Sequence, residues 1–142
     1  MFLRWWVDLY MNKYSFLITF LLGQLIFNSC DKKKNYQVVT VPEIVSQDAI
    51  QYIGNENYLF FDVRTVGEHN KIAIPNTPNI PIQELEDRID ELKIYRDRNI
   101  IVYCRSGNRS KAGTEILNNN GYNAVNLIGG MKQWNGPKIS KN

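Results

Sequence analysis

Two short runs without a charged residue, 58–61 (YLFF) and 99–103 (NIIVY), constrain the fold more than any other feature of the chain. A strand with one wet face alternates polar and apolar residues, whereas a strand covered on both faces is apolar throughout. Both runs are of the second kind, and a third, 124–128 (AVNLI), resembles them. The intervening segments carry helical periodicity. Ile82, Leu85, Ile89 and Leu92 repeat at helical spacing, which predicts an amphipathic helix. Ala112, Ile116 and Leu117 fit one face of another, stopped by an asparagine run and Gly121. Gly129 and Gly130 open a last short helix containing Met131 and Trp134.

Towards the N-terminus, 37–41 (QVVTV) reads as an opening strand stopped by Pro42. A helix then starts at Ser46, whose hydroxyl is placed to cap it. Val45 and Ile50 have the spacing of a hydrophobic staple, and Gly54 is the stop. Residues 65–81, with three prolines and several asparagines, read as irregular. Strands alternating with helices predict an α/β fold, a central parallel sheet flanked by helices on both faces. Ligands of such sheets sit beyond the carboxyl ends of the strands, where both the Asp62-Val63-Arg64 segment and Cys104 fall.

The chain has 142 residues, enough for one domain. A net charge of +3 without a basic stripe beyond Lys32, Lys33 and Lys34 argues against nucleic acid as a partner. Residues 16–27 (FLITFLLGQLIF) are uncharged but shorter than the about 20 needed to span a bilayer. They match the apolar region of a secretory signal, with Lys13 as its positive flank. Ser29 directly before Cys30 resembles a bacterial lipoprotein signal, which implies lipidation of Cys30 and an envelope location facing the periplasm. An uncleaved membrane anchor, or a helix packed on the domain, are the alternatives. Phe27 and Asn28 depart from the usual lipobox, and Met11 makes a more compact start than Met1. The expected organisation is therefore a signal over 1–30, a tether over 31–37 and the folded domain over 38–142. Of the two cysteines, a lipidated Cys30 leaves Cys104 without an intramolecular partner.

Cys104 follows a strand and precedes the loop RSGNRS. Gly107 allows the sharp turn into a helix beginning near Arg109. Successive N–H groups in such a turn form an anion nest at a helix start. The helix end, Arg105 and Arg109 all favour thiolate over thiol. A thiolate in a donor-lined bowl attacks an electrophilic sulfur or phosphorus, and the same donors hold the resulting anion. The competing reading is a small buried hydrophobe at a strand end. Phe60, Phe61 and Trp134 are expected in the core. No metal-ligand spacing, P-loop or dinucleotide fingerprint is present, so no cofactor is expected.

The run CRSGNRS after IIVY resembles the active-site loop of the rhodanese (sulfurtransferase) family, which often reads C-R-S-G-x-R-S. Asp62-Val63-Arg64 with Glu68 resembles its D-V-R-x-x-x-E; Asn79-Ile80-Pro81 its N-I-P; and Gly129, Gly130 and Trp134 its closing G-G-x-x-x-W. The resemblance covers roughly 44–135. It implies a rhodanese-like fold in which Cys104 accepts a sulfane sulfur as a persulfide and passes it to a thiol or a cyanide-like acceptor. It further implies that the N–H groups of Arg105, Ser106, Gly107, Asn108 and Arg109 hold the persulfide, that Arg105 binds an anionic donor such as thiosulfate, and that Ser106 bonds the terminal sulfur. Arg109 shapes the loop. Asp62, Arg64 and Glu68 are expected to be structural, with an Arg64–Glu68 pair at the sheet edge favoured over the alternative of a substrate contact.

Cys104 and Arg109 enclose four residues, C-x4-R, whereas the related dual-specificity phosphatases use a wider C-x5-R bowl. That count favours sulfur transfer over a small cysteine-based phosphatase or arsenate reductase. A non-catalytic binding or sensing module is a further alternative. The family's G-H-I-P-G-A segment is replaced here by 72–77 (IAIPNT), without its histidine and glycines. The only histidine, His69, is expected to be packing or surface.

Overall fold

The computed structural model describes residues 40–140. The signal, the tether, Cys30 and most of the strand expected over 37–41 lie outside the described residues. Among the described residues no helix is long and apolar enough to cross a membrane.

Four strands, β1 (Glu43–Ile44), β2 (Tyr58–Asp62), β3 (Asn99–Tyr103) and β4 (Asn123–Leu127), form one parallel sheet in the order β1-β4-β3-β2. The opening strand falls after Pro42 rather than before it. The Pro42 carbonyl accepts from the Asn126 N–H at 2.8 Å, and the Ile44 carbonyl accepts from Ile128 N–H at 2.9 Å. The pairing thus draws on carbonyls, and a proline without an N–H is tolerated at an edge.

Alternation along the strands sends successive side chains into two separate cores, one on each face. Leu59, Phe61, Ile100 and Val102 pack with Leu85, Leu92 and Leu117 on one side. Phe60, Ile101, Tyr103 and Leu127 pack with Ala49, Ile74 and Trp134 on the other. Phe60 and Trp134 meet edge to face at 5.4 Å between ring centroids. This two-sided burial is why 58–61 and 99–103 are apolar without alternation.

The helices are α1 (Ser46–Ala49), α2 (Val66–Lys71), α3 (Asn108–Asn119) and α4 (Gly130–Gln133). In α1 the Ser46 hydroxyl does not cap its helix; it accepts from the Asn135 N–H at 3.1 Å, linking α1 to the chain beyond α4. Val45 is 45% exposed, so no staple forms with Ile50, which packs on the core. The segment expected to be irregular contains α2, started by a capping box in which Thr65 and Glu68 satisfy each other's backbone N–H groups. The buried face of α3 is Ser110, Gly113, Thr114 and Leu117, with Ala112 exposed. Three of these four are small or hydroxylated, which hid the face from a purely apolar pattern. Trp134 ends α4 as its C-cap, where its side chain is buried.

The amphipathic helix expected from Ile82 onward is two 3₁₀ segments, Ile82–Glu84 and Ile89–Tyr95. Arg88, at φ −111° and ψ 13°, separates them, and its guanidinium bonds Glu84 and Glu91 at 2.7 Å each. Leu85 and Leu92 still reach the core. Apolar periodicity reports which side chains are buried and not the pitch that delivers them. Leu85→Ala should therefore lower unfolding stability in urea by about 2–5 kcal/mol, as for any full core truncation. Ile94→Ser in the same region, where Ile94 is 78% exposed, should change it by less than about 0.5 kcal/mol.

Candidate active site

Cys104 is the first residue past β3, and two backbone bonds fix its carbonyl edge. The Cys104 carbonyl accepts from Met131 N–H at 2.8 Å, and that of Arg105 from Lys132 N–H at 3.0 Å. The first turn of α4 is thus laid against the loop. Gly130 makes this approach possible: a Cβ there would collide with the Cys104 carbonyl oxygen and lie 2.9 Å from the Ser106 nitrogen. Gly107, at φ +102°, turns the chain into α3. Its N–H donates to Cys104 Sγ at 3.1 Å. Cys104 itself is only 1% exposed, so the sulfur forms the floor of the turn.

Burial opposes ionisation of this thiol. The Ser110 hydroxyl and the N–H groups of Ser110, Ser106 and Gly107 outweigh it, and the thiol lies below its ordinary range. The amide donors expected of the turn are joined by a hydroxyl, that of Ser110. The side chains of Arg105, Ser106 and Asn108 are exposed around the rim. Arg109 is half-buried and attracts the Cys104 charge, but its main partner is Glu68.

The ion pairs differ from the expected Arg64–Glu68 contact. Arg64 turns back onto Asp62, with Nε at 2.9 Å from Oδ1 and the terminal nitrogen at 2.6 Å from Oδ2. Glu68 instead takes both terminal nitrogens of Arg109 at 2.8 Å. The reason is burial. Asp62 is wholly enclosed and needs a charged partner within reach, and Arg64 is two residues away on the same turn. That leaves Glu68, at the start of α2, facing α3. His69 is not on the surface: it is buried, with Nδ1 2.9 Å from Asp62 Oδ2. Among the described residues no cluster could hold a metal ion.

The replaced segment 72–77 is held by the same buried groups. Arg64 donates to the Ile72 carbonyl at 2.7 Å. The Thr77 hydroxyl donates to the Ile74 carbonyl at 2.9 Å, which leaves it to accept from the Tyr103 hydroxyl at 3.0 Å. Asn76 takes φ 56°, a left-handed turn that asparagine tolerates. Sequence reasoning also missed Ser110 and Asn126. The Ser110 hydroxyl lies 3.4 Å from Cys104 Sγ and 2.6 Å from Asn126 Oδ1. The available signal was a polar residue inside the apolar run AVNLI, directly across the sheet from Val102.

A thiol in an amide-lined turn, between a parallel strand and a helix start, defines a class of α/β domain that carries a cysteine at a strand end. Within that class the chain belongs to the rhodanese-like domain family, whose sequence pattern matches residues 45–137. It is 36% identical over 96 residues to a sulfurtransferase of Allochromatium vinosum, covering 66% of this chain and 88% of that one. It is 32% identical over 99 residues to a putative sulfur carrier protein of Bacillus subtilis, covering 68% of this chain and about half, 52%, of that relative. Among solved structures, a rhodanese-related protein of Thermoplasma volcanium is 35% identical with a TM-score of 0.63, over 69% of this chain and 97% of that one. An E. coli rhodanese solved with anions is 30% identical with a TM-score of 0.52, over 58% and 98% of the two chains.

Arg109 holds the Glu68 carboxyl well below its usual range, at about 2. A carboxylate lowered on folding adds stability above its unfolded value and loses it as pH falls through the folded one. The stability difference between wild type and Glu68→Gln should hence be constant above about pH 5.5, shrink as pH falls below about 4.3 and lose its charge-dependent part below about pH 2. Urea unfolding at a series of pH values measures it; a difference unchanged down to pH 2 would contradict the pairing.

Proposed function

We propose that this protein is a sulfurtransferase that carries a sulfane sulfur as a persulfide on Cys104. The observation that carries the reading is Cys104 Sγ held by the Gly107 N–H at 3.1 Å on the floor of a C-x4-R turn. With a donor such as thiosulfate, the Cys104 thiolate attacks the outer sulfur. The S–S bond of the donor breaks, and sulfite leaves with its electron pair. The charge now on the terminal sulfur faces the N–H groups of the turn, which favour an anion. In the second step a thiolate or cyanide attacks that terminal sulfur, and Cys104 leaves as the thiolate.

Arg105 and Ser106 are both exposed; in this reading Arg105 draws in an anionic donor and Ser106 bonds the outer sulfur. Enclosure of Cys104, 1% exposed, favours a narrow donor over a bulky one. The names of the relatives, a sulfurtransferase and a sulfur carrier, support the same class of chemistry.

Incubation with thiosulfate should add one sulfur to the intact mass of the wild type. Cyanide should remove it, and Cys104→Ser should never acquire it. Wild type that gains no sulfur would sink the proposal, and turnover of an aryl phosphate would point to the phosphatase chemistry of the wider loop.

For location, we propose a lipid anchor at Cys30, supported by the apolar run over 16–27 and Ser29 before the cysteine. Labelled fatty acid fed to cells should enter the wild type and be absent from Cys30→Ser. Equal labelling of both, or of neither, would dispose of it.

A further inference from the structure

The Ser110 hydroxyl has one proton and three acceptors within reach: Asn126 Oδ1 at 2.6 Å, the Gly107 carbonyl at 3.1 Å and Cys104 Sγ at 3.4 Å. It can serve only one at a time. The Gly107 carbonyl, which also accepts from the Lys111 N–H at 3.0 Å, does not change its acceptor strength directly when Cys104 ionises, so the contest that the charge on Cys104 alters is the one between Asn126 and Cys104. Asn126 is buried on β4, and its amide is oriented by Glu43 on β1, which accepts from Nδ2 at 3.3 Å. A carboxylate can only accept, so the amide's carbonyl oxygen is turned toward Ser110. The short bond then marks the resting position of the proton. An ionised sulfur is a stronger acceptor than a neutral thiol, because hydrogen bonds to charged groups are about twice as strong.

We propose that Ser110 and Asn126 are positioning residues forming a two-position switch: the Ser110 hydroxyl donates to Asn126 while Cys104 is a thiol, and turns to the sulfur when Cys104 carries charge. Asn126 thereby withholds a donor from the resting thiol, and Ser110 supplies it to the thiolate. Cys104 is returned to that charged form each time sulfur is handed on. The inference rests on Cys104 being the reacting group proposed above. Its test titrates the cysteine directly and needs no sulfur donor.

Other charged groups surround the sulfur. Arg109 of α3 is paired with Glu68 of α2, Asp62 at the end of β2 is paired with Arg64 and with His69, and Arg105 and Lys132 are exposed. Glu43 reaches the site through Asn126. All are left intact in the variants below.

The full chain is labelled with Cβ-¹³C cysteine, and the Cys104 signal, assigned by its loss in Cys104→Ala, is followed against pH by NMR. Ser110→Ala should raise the midpoint, leaving about tenfold less thiolate at a fixed pH below it. Ser110→Thr, which keeps the hydroxyl, should restore the wild-type midpoint. Asn126→Ala should lower the midpoint in the wild-type background and leave it unmoved in Ser110→Ala, since it acts only through that hydroxyl. If Asn126→Ala does not fold, Asn126→Val, suited to a strand and without an acceptor, takes its place. The switch is overturned if Ser110→Ala leaves the midpoint unchanged, or if loss of Asn126 shifts it equally in both backgrounds or upward. A wild type that titrates as described but gains no sulfur from thiosulfate would remove the proposed reaction and leave the switch standing.

Discussion

The buried carboxylate of Asp62 is the interaction on which the site's frame depends. A charge wholly removed from water must be met by opposite charge and by hydrogen bonds. Asp62 receives the Arg64 guanidinium, the Arg64 N–H and the His69 ring. Arg64 then reaches the Ile72 carbonyl, and Asn79 bonds the carbonyls of both Asp62 and Arg64 at 3.0 and 2.8 Å. The end of β2, the start of α2 and the chain leading to Ile80 are drawn to one point. Because His69 anchors α2 to Asp62, Glu68 one residue earlier is presented to Arg109. A buried charge at one strand end thus reaches the cysteine loop of the next strand without touching the cysteine.

The loop answers a different requirement. Its backbone must approach α4 closely enough for Met131 and Lys132 to donate into it, and must aim N–H groups at a sulfur. Gly130 meets the first need by having no side chain and Gly107 the second by adopting a left-handed turn. Most of the anion-binding capacity is therefore main chain. The ion pair of Arg109 with Glu68 holds the geometry from the side, and the exposed Arg105 is left to meet whatever arrives from solvent.

Much of this was readable beforehand, and the failures have identifiable causes. The strands at 58–62 and 99–103 announced themselves because both faces are buried. The turn at Cys104 did so because glycine, hydroxyl and cationic residues crowd one thiol. The helix α2 was missed although Thr65 and Glu68 spell a capping box, because the surrounding prolines and asparagines suggested irregular chain. The pitch of Ile82–Glu84 and Ile89–Tyr95 was missed because 3₁₀ turns and an α-helix can bury the same leucines.

Residue order alone determined the parallel α/β architecture, the two-sided core and the position of Cys104 at a strand end, since these follow from periodicity and local turn chemistry. Tertiary structure decided which charges meet. Arg64, Glu68 and Arg109 each have more than one possible partner along the chain, and only the burial of Asp62 and the facing of α2 on α3 select among them. The approach of Asn126 to Ser110, sixteen residues apart, was likewise settled by β4 lying beside β3. Hydrogen bonds act over a few ångströms of space, and distance along the sequence carries no record of them.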